Sequence, residues 1–265
     1  VTELDGSRIA DELALRGVRL GPVLIHQQTG STNDDVRGLA AQGAPHGAVV
    51  IADAQTAGRG RGAHRWHSPP GESLYLSLLW RPRLESSRLA LLALAVGVGV
   101  ARVVDVHLDG PRARIKWPND VFVDDRKLAG ILVEASMSAR GAFAVIGVGL
   151  NVHTTSFPDD LASSATSLAL AGGHDLERNR LAAEVVASIV AACCELELAV
   201  EEGRRPVCLE DLARRDWLLG RAVRVGECAG QGAGIDADGR LLVRRADGSF
   251  NSVVSGEISL EVGRG

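Results

Sequence analysis

At 265 residues with 46% hydrophobic side chains, the chain can hold one large domain, or one large and one small, around a sizeable core. Its formal charge of −4 argues against a general nucleic-acid binder, which needs a broad basic surface, so any cationic site must be local. Residues 1–20 scatter Glu3, Asp5, Arg8, Asp11 and Glu12, unlike a secretory signal. The mostly apolar uncharged run Leu89–Ala101 has 13 residues against the roughly 20 a membrane span needs. It reads as a buried helix in which Gly97 and Gly99 let a neighbour approach. The cysteines at 193, 194, 208 and 228 have neither CxxC nor zinc-ligand spacing, and reduced thiols in a cytoplasmic protein are the expectation.

In chain order, Ile9, Leu13 and Leu15 among charges predict a short helix over 7–16, ended by Gly21-Pro22. Val23–His26 reads as a strand. A helix opens after Gly30, with Thr32 as a candidate cap and Asp35 completing a capping-box pattern. Residues 47–53 form a strand. Residues 73–80 alternate Leu74, Leu76, Leu78 and Trp80 with Tyr75 and Ser77, the pattern of a half-buried strand. A helix spans 87–107. Residues 114–117 make a short strand stopped by Pro118-Asn119-Asp120, and 121–123 and 128–134 flank Asp124–Lys127 as a hairpin. Residues 143–151 form a strand, expected at a sheet edge, with Gly147 and Gly149 inside it; strand glycines signal a bulge or a close approach to the backbone. A long helix covers 177–202. Short strands at 222–225, 232–236, 241–245 and 252–254, joined by turns such as Asp238-Gly239 and Asp247-Gly248, make a small β-barrel over 215–265. Hairpin-linked strands mixed with helices make the body, 1–214, α+β.

Four motifs go beyond this scaffold. Gly58, Gly60 and Gly62 alternate with Arg59 and Arg61, and Arg65 and Trp66 follow. Such a loop is either a mobile surface segment or an anion clamp. It is no Walker A loop, since no Gly-Lys-Ser/Thr follows, and a poor dinucleotide fingerprint, since a strand rather than a helix comes next. Lys116-Trp117-Pro118-Asn119-Asp120 exceeds what a proline turn requires. Lys127 stands where an exposed turn meets the buried run from Leu128. Gly147-Val148-Gly149-Leu150-Asn151 ends an apolar strand in an amide.

Together and in this order these motifs closely resemble the bacterial biotin protein ligases. The resemblance runs over nearly the whole chain: Ser31-Thr32-Asn33, Gln55, Gly58–Arg61, Trp66, Lys116–Asp120, Lys127–Gly130, Gly147–Asn151 and the closing strand Gly256–Leu260. It implies a catalytic domain like that of class II aminoacyl-tRNA synthetases, with a mixed sheet and flanking helices, and an SH3-like C-terminal barrel. It implies condensation of biotin with ATP to biotinyl-5′-AMP, then transfer to one lysine of a biotin carboxyl carrier protein, typically that of acetyl-CoA carboxylase. By match to the family, Lys127 and Arg61 are catalytic. Ser31, Thr32, Asn33, Gln55, Gly58, Arg59, Gly60, Arg61, Lys127, Gly130 and Gly147 hold biotin, and Gly130 and Gly147 make room for it. Arg61, Trp66, Lys116, Asn119, Asp120, Lys127 and Asn151 hold the nucleotide. Mg²⁺ is expected on the phosphates rather than in a protein cage.

One departure is His64, where the family often has arginine; it weakens the loop's positive field, and the loop is still expected to close on ligand. Only 30 residues precede Ser31, too few for the helix-turn-helix of the family's repressors, so no DNA partner is expected, nor a membrane. The resemblance implies a monomer or weak homodimer, and Arg221 is a candidate nucleotide or acceptor contact. Lipoate ligases and octanoyltransferases are the nearest enzymatic rivals; a non-catalytic biotin-binding module is the rival of another class.

Overall fold

The structure, a computed structural model, describes residues 2–62, 64–85, 88–110, 112–138 and 141–260. The order is α1 (Gly6–Leu15), β1 (Val23–Thr29), α2 (Thr32–Ala41), β2 (Val49–Gln55), β3 (Ser73–Trp80), α3 (Ala90–His107), β4 (Arg114–Lys116), β5 (Asp120–Val123), β6 (Arg126–Ser138), β7 (Gly141–Asn151), α4 (Arg178–Glu201) and α5 (Val207–Arg215). Five short strands follow: β8 (Ala222–Val225), β9 (Cys228–Ile235), β10 (Leu241–Arg244), β11 (Phe250–Val253) and β12 (Ile258–Leu260). The expected start of the α3 helix, residue 87, lies outside the described residues.

β1 to β7 form one mixed sheet in the order β1-β2-β3-β7-β6-β5-β4, with β1 parallel to β2 and every other pair antiparallel. β7 therefore lies in the middle, between β3 and β6, not at an edge as expected; the edges are β1 and β4. Alternation along the strands sorts the apolar residues into two layers. Val49, Ile51, Leu74, Leu76, Leu78 and Ile146 join the large cluster with α3 and α4. Val50, Leu79 and Val145 join a smaller one under α2. β3 is consequently buried along its whole length rather than half-buried. The period-two pattern reported chemistry on one face, and the packing of α2 covers the other.

α3 is long and apolar enough to cross a membrane, but most of it is buried between the sheet and α4. At the crossing, a Cβ on Gly99 would stand 3.0 Å from the Ser188 carbonyl oxygen, and the Ser188 hydroxyl donates to the Gly99 carbonyl at 2.9 Å. The bare backbone of α3 is what admits α4. The short helix α5 was not expected. Its signal is modest, with Cys208, Leu209 and Leu212 buried on one side of a segment rich in charge.

The second sheet has the order β11-β10-β9-β8-β12, all antiparallel. It is firmly seated. Val223, Val225, Leu241, Val243 and Ile258 belong to the same apolar cluster as α3. The Trp117 indole donates to the Gly239 carbonyl at 2.9 Å. Gly239 has φ +79°, a backbone conformation that favours glycine, and its bare Cα sits against Leu91 and Leu94 of α3.

Candidate active site

One cavity of about 790 Å³ opens on the α2 side of the sheet, and the segment 255–258 of the C-terminal sheet closes part of its rim. Ser31, Thr32, Asn33, Gln55, Arg59, Gly60, Arg61, Trp66, Lys116, Asn119, Asp120, Lys127, Gly130 and Gly147 line it. Segments from Ser31 to Ile258 converge there because β2 and β7 flank β3 and β6 pairs with β7.

The glycine-arginine segment folds as a small hairpin across the cavity. The Gly60 amide donates to the His64 carbonyl at 2.8 Å and the Trp66 amide to that of Gly58 at 2.9 Å; Arg59 and Arg65 pair as an antiparallel bridge. Each arginine has a different anchor. Arg59 reaches Asp34 Oδ1 at 2.9 Å and Glu134 Oε2 at 2.8 Å, so its charge is spent on carboxylates and its contribution to the cavity is backbone. Arg61 donates to the Gly256 carbonyl at 2.7 Å, tying the hairpin to the C-terminal sheet. His64 adds a contact of 3.4 Å to Glu257.

The neutral wall comes from the N-terminus of α2 and the end of β2. Ser31, not Thr32, occupies the cap position, and its side chain caps nothing. The capping-box expectation fails because these hydroxyls are drawn into the cavity wall instead. Gln55 Oε1 accepts from the Thr32 amide at 3.0 Å, and Gln55 Nε2 donates to Ser68 Oγ at 3.0 Å, which fixes the carboxamide. Gly58 lies behind this wall rather than on it. A Cβ there would meet Ser68 Oγ at 2.7 Å and the Trp66 carbonyl oxygen at 2.8 Å, so the glycine is needed for the close approach of Gln55 to the loop.

The glycines on the floor have a similar explanation. A Cβ at Gly147 would stand 2.1 Å from Asn33 Oδ1, one at Gly149 2.4 Å from Trp66 Cε2, and one at Gly130 2.9 Å from Trp66 Cζ3. The groups pressed against these strands are thus the protein's own Asn33 and Trp66 side chains. Trp66 leaves its buried indole N–H without a hydrogen-bond partner.

The charged wall is built by the β5–β6 hairpin. Asp124 and Asp125 both have positive φ, 49° and 59°, the two-residue turn that matches strand twist. Lys127 is therefore inside β6 rather than in the turn. Register slips between Val121 and Phe122, so that Phe122 faces Lys127 while Val121 faces Ala129; a bulge of this kind re-aims a side chain. Lys127 Nζ stands 2.7 Å from Asp120 Oδ1, an ion contact without hydrogen-bond alignment, and 5.3 Å from the Trp66 ring centre. Lys116 lies 5.4 Å from the Phe122 ring and 5.6 Å from that of Trp217. Burial pulls its pKa below the ordinary lysine value; Asp120 opposes this and the Lys127 charge adds to it.

Two expectations change. Asn151 is absent from the cavity lining; it is buried and its amide donates to the Thr166 carbonyl at 2.9 Å, pinning the segment beside Lys127. Arg221 does not reach the cavity either. It pairs with Asp125 at 2.7 Å and stacks on Trp217 at 4.1 Å, buttressing the β5–β6 turn. Asn119 does line the cavity, with its amide donating to the Ile131 carbonyl at 2.7 Å. Sequence reasoning missed Ser255 and Glu257 as lining groups. It also missed Asp34 and Glu134 as the anchors of Arg59, because an acidic residue in an exposed-looking pattern gives no sign of its partner.

Comparison with known proteins agrees with this geometry. The model of the biotin/lipoate A/B protein ligase family matches residues 24–151, and that of the biotin protein ligase C-terminal domain matches 218–261. The chain is 36% identical to the biotin–[acetyl-CoA-carboxylase] ligase of Mycobacterium tuberculosis, over 90% of this chain and 89% of that protein. It is 35% identical to the bifunctional ligase/repressor BirA of Salmonella typhimurium, over 97% of this chain and 78% of that one. Among solved structures, the biotin protein ligase of Aquifex aeolicus in complex with biotin and ATP superposes with a TM-score of 0.77 at 27% identity, covering 91% of this chain and 99% of that one. The chain belongs to the biotin protein ligase family.

Proposed function

We propose that this cavity is where biotin and ATP are joined, with the ureido ring against Ser31, Thr32 and Gln55 and the α-phosphate against Lys127. The activity is ATP-dependent ligation of biotin to protein, in two steps: biotin and ATP give biotinyl-5′-AMP and pyrophosphate, and a carrier lysine then displaces AMP. The observation that carries the assignment is the abutment of a neutral hydrogen-bonding wall and a wall bearing Lys116, Lys127 and Arg61 in one cavity. Biotin presents a neutral urea at one end and a carboxylate at the other, and the cavity has the matching division.

A carboxylate approaching a phosphate brings two anions together, so the barrier falls when fixed cations face the accumulating charge. Lys127 carries three donors on a mobile stem. In the free site Asp120 balances it, and an arriving phosphate competes for the same ammonium. Arg61 offers a planar fork to phosphate oxygens while its anchor at Gly256 holds the hairpin over the site. The hairpin shields the mixed anhydride from water until the acceptor amine arrives. Trp66, Lys116 and Asn119 complete the nucleotide wall; Asn33, Arg59, Gly60, Gly130 and Gly147 shape the biotin side.

Among the described residues no cluster of three metal-ligating side chains exists. Asp120, with an oxygen outside any hydrogen bond, is the one carboxylate on the charged wall of the β5–β6 hairpin, so Mg²⁺ would enter on the phosphates with Asp120 beside it. Its chemistry there would be neutralisation of phosphate charge. The acceptor we propose is the carrier domain of acetyl-CoA carboxylase or a related carboxylase. The test is incubation of the chain with ATP, a carrier domain and labelled biotin, lipoate or octanoate in parallel. Covalent label from biotin alone is expected; label from lipoate or octanoate instead would overturn the assignment.

A further inference from the structure

We infer that Ser77 and Glu134 are positioning residues that fix the hydrogen-bond polarity of the biotin pocket, although neither touches the ligand. The inference rests on the proposed seat of the ureido ring at Thr32. Ser77 is fully buried in β3 and Glu134 lies on β6, outside the cavity lining. Between them runs an unbroken chain of short contacts. Thr32 Oγ1 is 2.7 Å from Ser77 Oγ, Ser77 Oγ is 2.6 Å from Asn33 Oδ1, and Asn33 Nδ2 is 2.7 Å from Glu134 Oε2.

The direction of the protons along this chain follows from counting them. Glu134 pairs with Arg59 at 2.8 Å and Arg37 at 3.0 Å, and a carboxylate paired with guanidinium groups only accepts. The nearby Leu132 carbonyl, 3.5 Å from Asn33 Nδ2, also only accepts. The Asn33 amide must therefore turn its N–H₂ to Glu134 and its oxygen to Ser77, since a flipped amide would set two oxygens 2.7 Å apart. Ser77 has one proton, and an amide oxygen at 2.6 Å requires it. The same Ser77 hydroxyl is the donor toward Thr32 Oγ1 at 2.7 Å, a three-centre arrangement, so the Thr32 hydroxyl turns its own proton away, to Gln55 Oε1 at 3.3 Å.

Thr32 thus meets the ligand only as an acceptor. Gln55 adds nothing that could reverse this, because Thr32 and Ser68 already hold both ends of its amide. A pocket polarised in this way takes an N–H at Thr32 and rejects a carbonyl or ether oxygen. A cyclic urea, with two N–H groups flanking one carbonyl, satisfies it. Glu134 also binds Arg59, so the same carboxylate fixes the pocket's polarity and pins the hairpin above it.

Steady-state biotinylation of a carrier domain by the full chain tests the relay. Ser77→Ala frees the Thr32 hydroxyl to rotate, and KM for biotin should rise about tenfold, the loss expected for one oriented buried hydrogen bond. KM for ATP should not move and kcat should stay within about twofold. Glu134→Ala should raise KM for biotin about three- to fivefold, and Glu134→Gln should recover most of that, because its amide oxygen can still accept from Asn33. A Ser77→Ala enzyme whose biotin KM stays within about twofold of the unaltered chain, or whose ATP KM rises in parallel, overturns the relay. If Ser77→Ala does not fold, the Glu134 pair decides: glutamine no better than alanine refutes it. Absence of biotinylation by the unaltered chain would instead strike at the function, so the two failures are distinguishable.

Discussion

The two walls of the cavity are built on opposite principles. On the wall proposed for biotin the amides already have protein partners: Gln55 is held at both ends and Asn33 lies between Ser77 and Glu134. On the nucleotide wall the groups are charged and their partners exchangeable, with Lys127 resting on Asp120 and Arg61 on a backbone carbonyl of the C-terminal sheet. A neutral ring is recognised by fixed dipoles, which lose little entropy on binding. A phosphate is recognised by charge, and charge can be parked on a carboxylate until the substrate replaces it. Under the proposed function the first wall is set for specificity and the second for chemistry.

The largest expected effect breaks the nucleotide wall. Lys127→Ala should reduce biotin-dependent pyrophosphate exchange by about 10³-fold or more while circular dichroism stays unchanged; near-normal exchange would remove Lys127 from the mechanism. Next comes a break of the biotin wall. Gly147→Ala drives a methyl to within 2.1 Å of Asn33 Oδ1, and the overpacking should cost about 1–3 kcal/mol. Calorimetry should show weakened biotin binding, with ATP binding nearly intact. Equal loss for both ligands would mean that the two walls are not separable.

A smaller effect sharpens the contrast at the hairpin, where the anchors of both walls meet. Limited proteolysis should cut between residues 58 and 66 in the free chain and be suppressed several-fold by biotin with ATP. Equal cutting with and without ligands would show that closure does not depend on them.

The smallest effect lies away from both walls and serves as a control. Burial pushes the Glu184 carboxyl up, but hydrogen bonds from His107 and Arg180 and the neighbouring charges outweigh it, so the net shift is down from 4.5. A depressed carboxyl stabilises the fold above its ordinary value, and that contribution is lost as pH falls through the folded value. Glu184→Gln should therefore lower stability by about 1 kcal/mol at neutral pH. The difference from the unaltered chain should shrink below about pH 4 in urea titrations, and biotin affinity should not change.

The elements themselves were largely legible. The strand over 73–80 is found where the alternation places it, the hairpin around Asp124 and Asp125 forms, and the apolar run at 89–101 is the buried helix α3. Local pattern suffices for these because hydrophobic period and turn chemistry act within a few residues. It did not suffice for α5, whose apolar stripe is short, or for the extent of β6, which runs to Ser138.

By itself the sequence determined the kinds of group available: a glycine-arginine segment, two lysines beside a Pro-Asn-Asp turn, and a strand interrupted by glycines. Only the tertiary structure decided what each group faces. It placed β7 between two strands instead of at an edge, sent Asn151 to the Thr166 carbonyl, spent Arg59 on Asp34 and Glu134, and brought Gly256 to Arg61 across almost two hundred residues. The reason is one of range. Propensity and periodicity are encoded by neighbours in the chain, whereas the partner of a buried polar group is fixed by whichever strand the sheet order sets beside it.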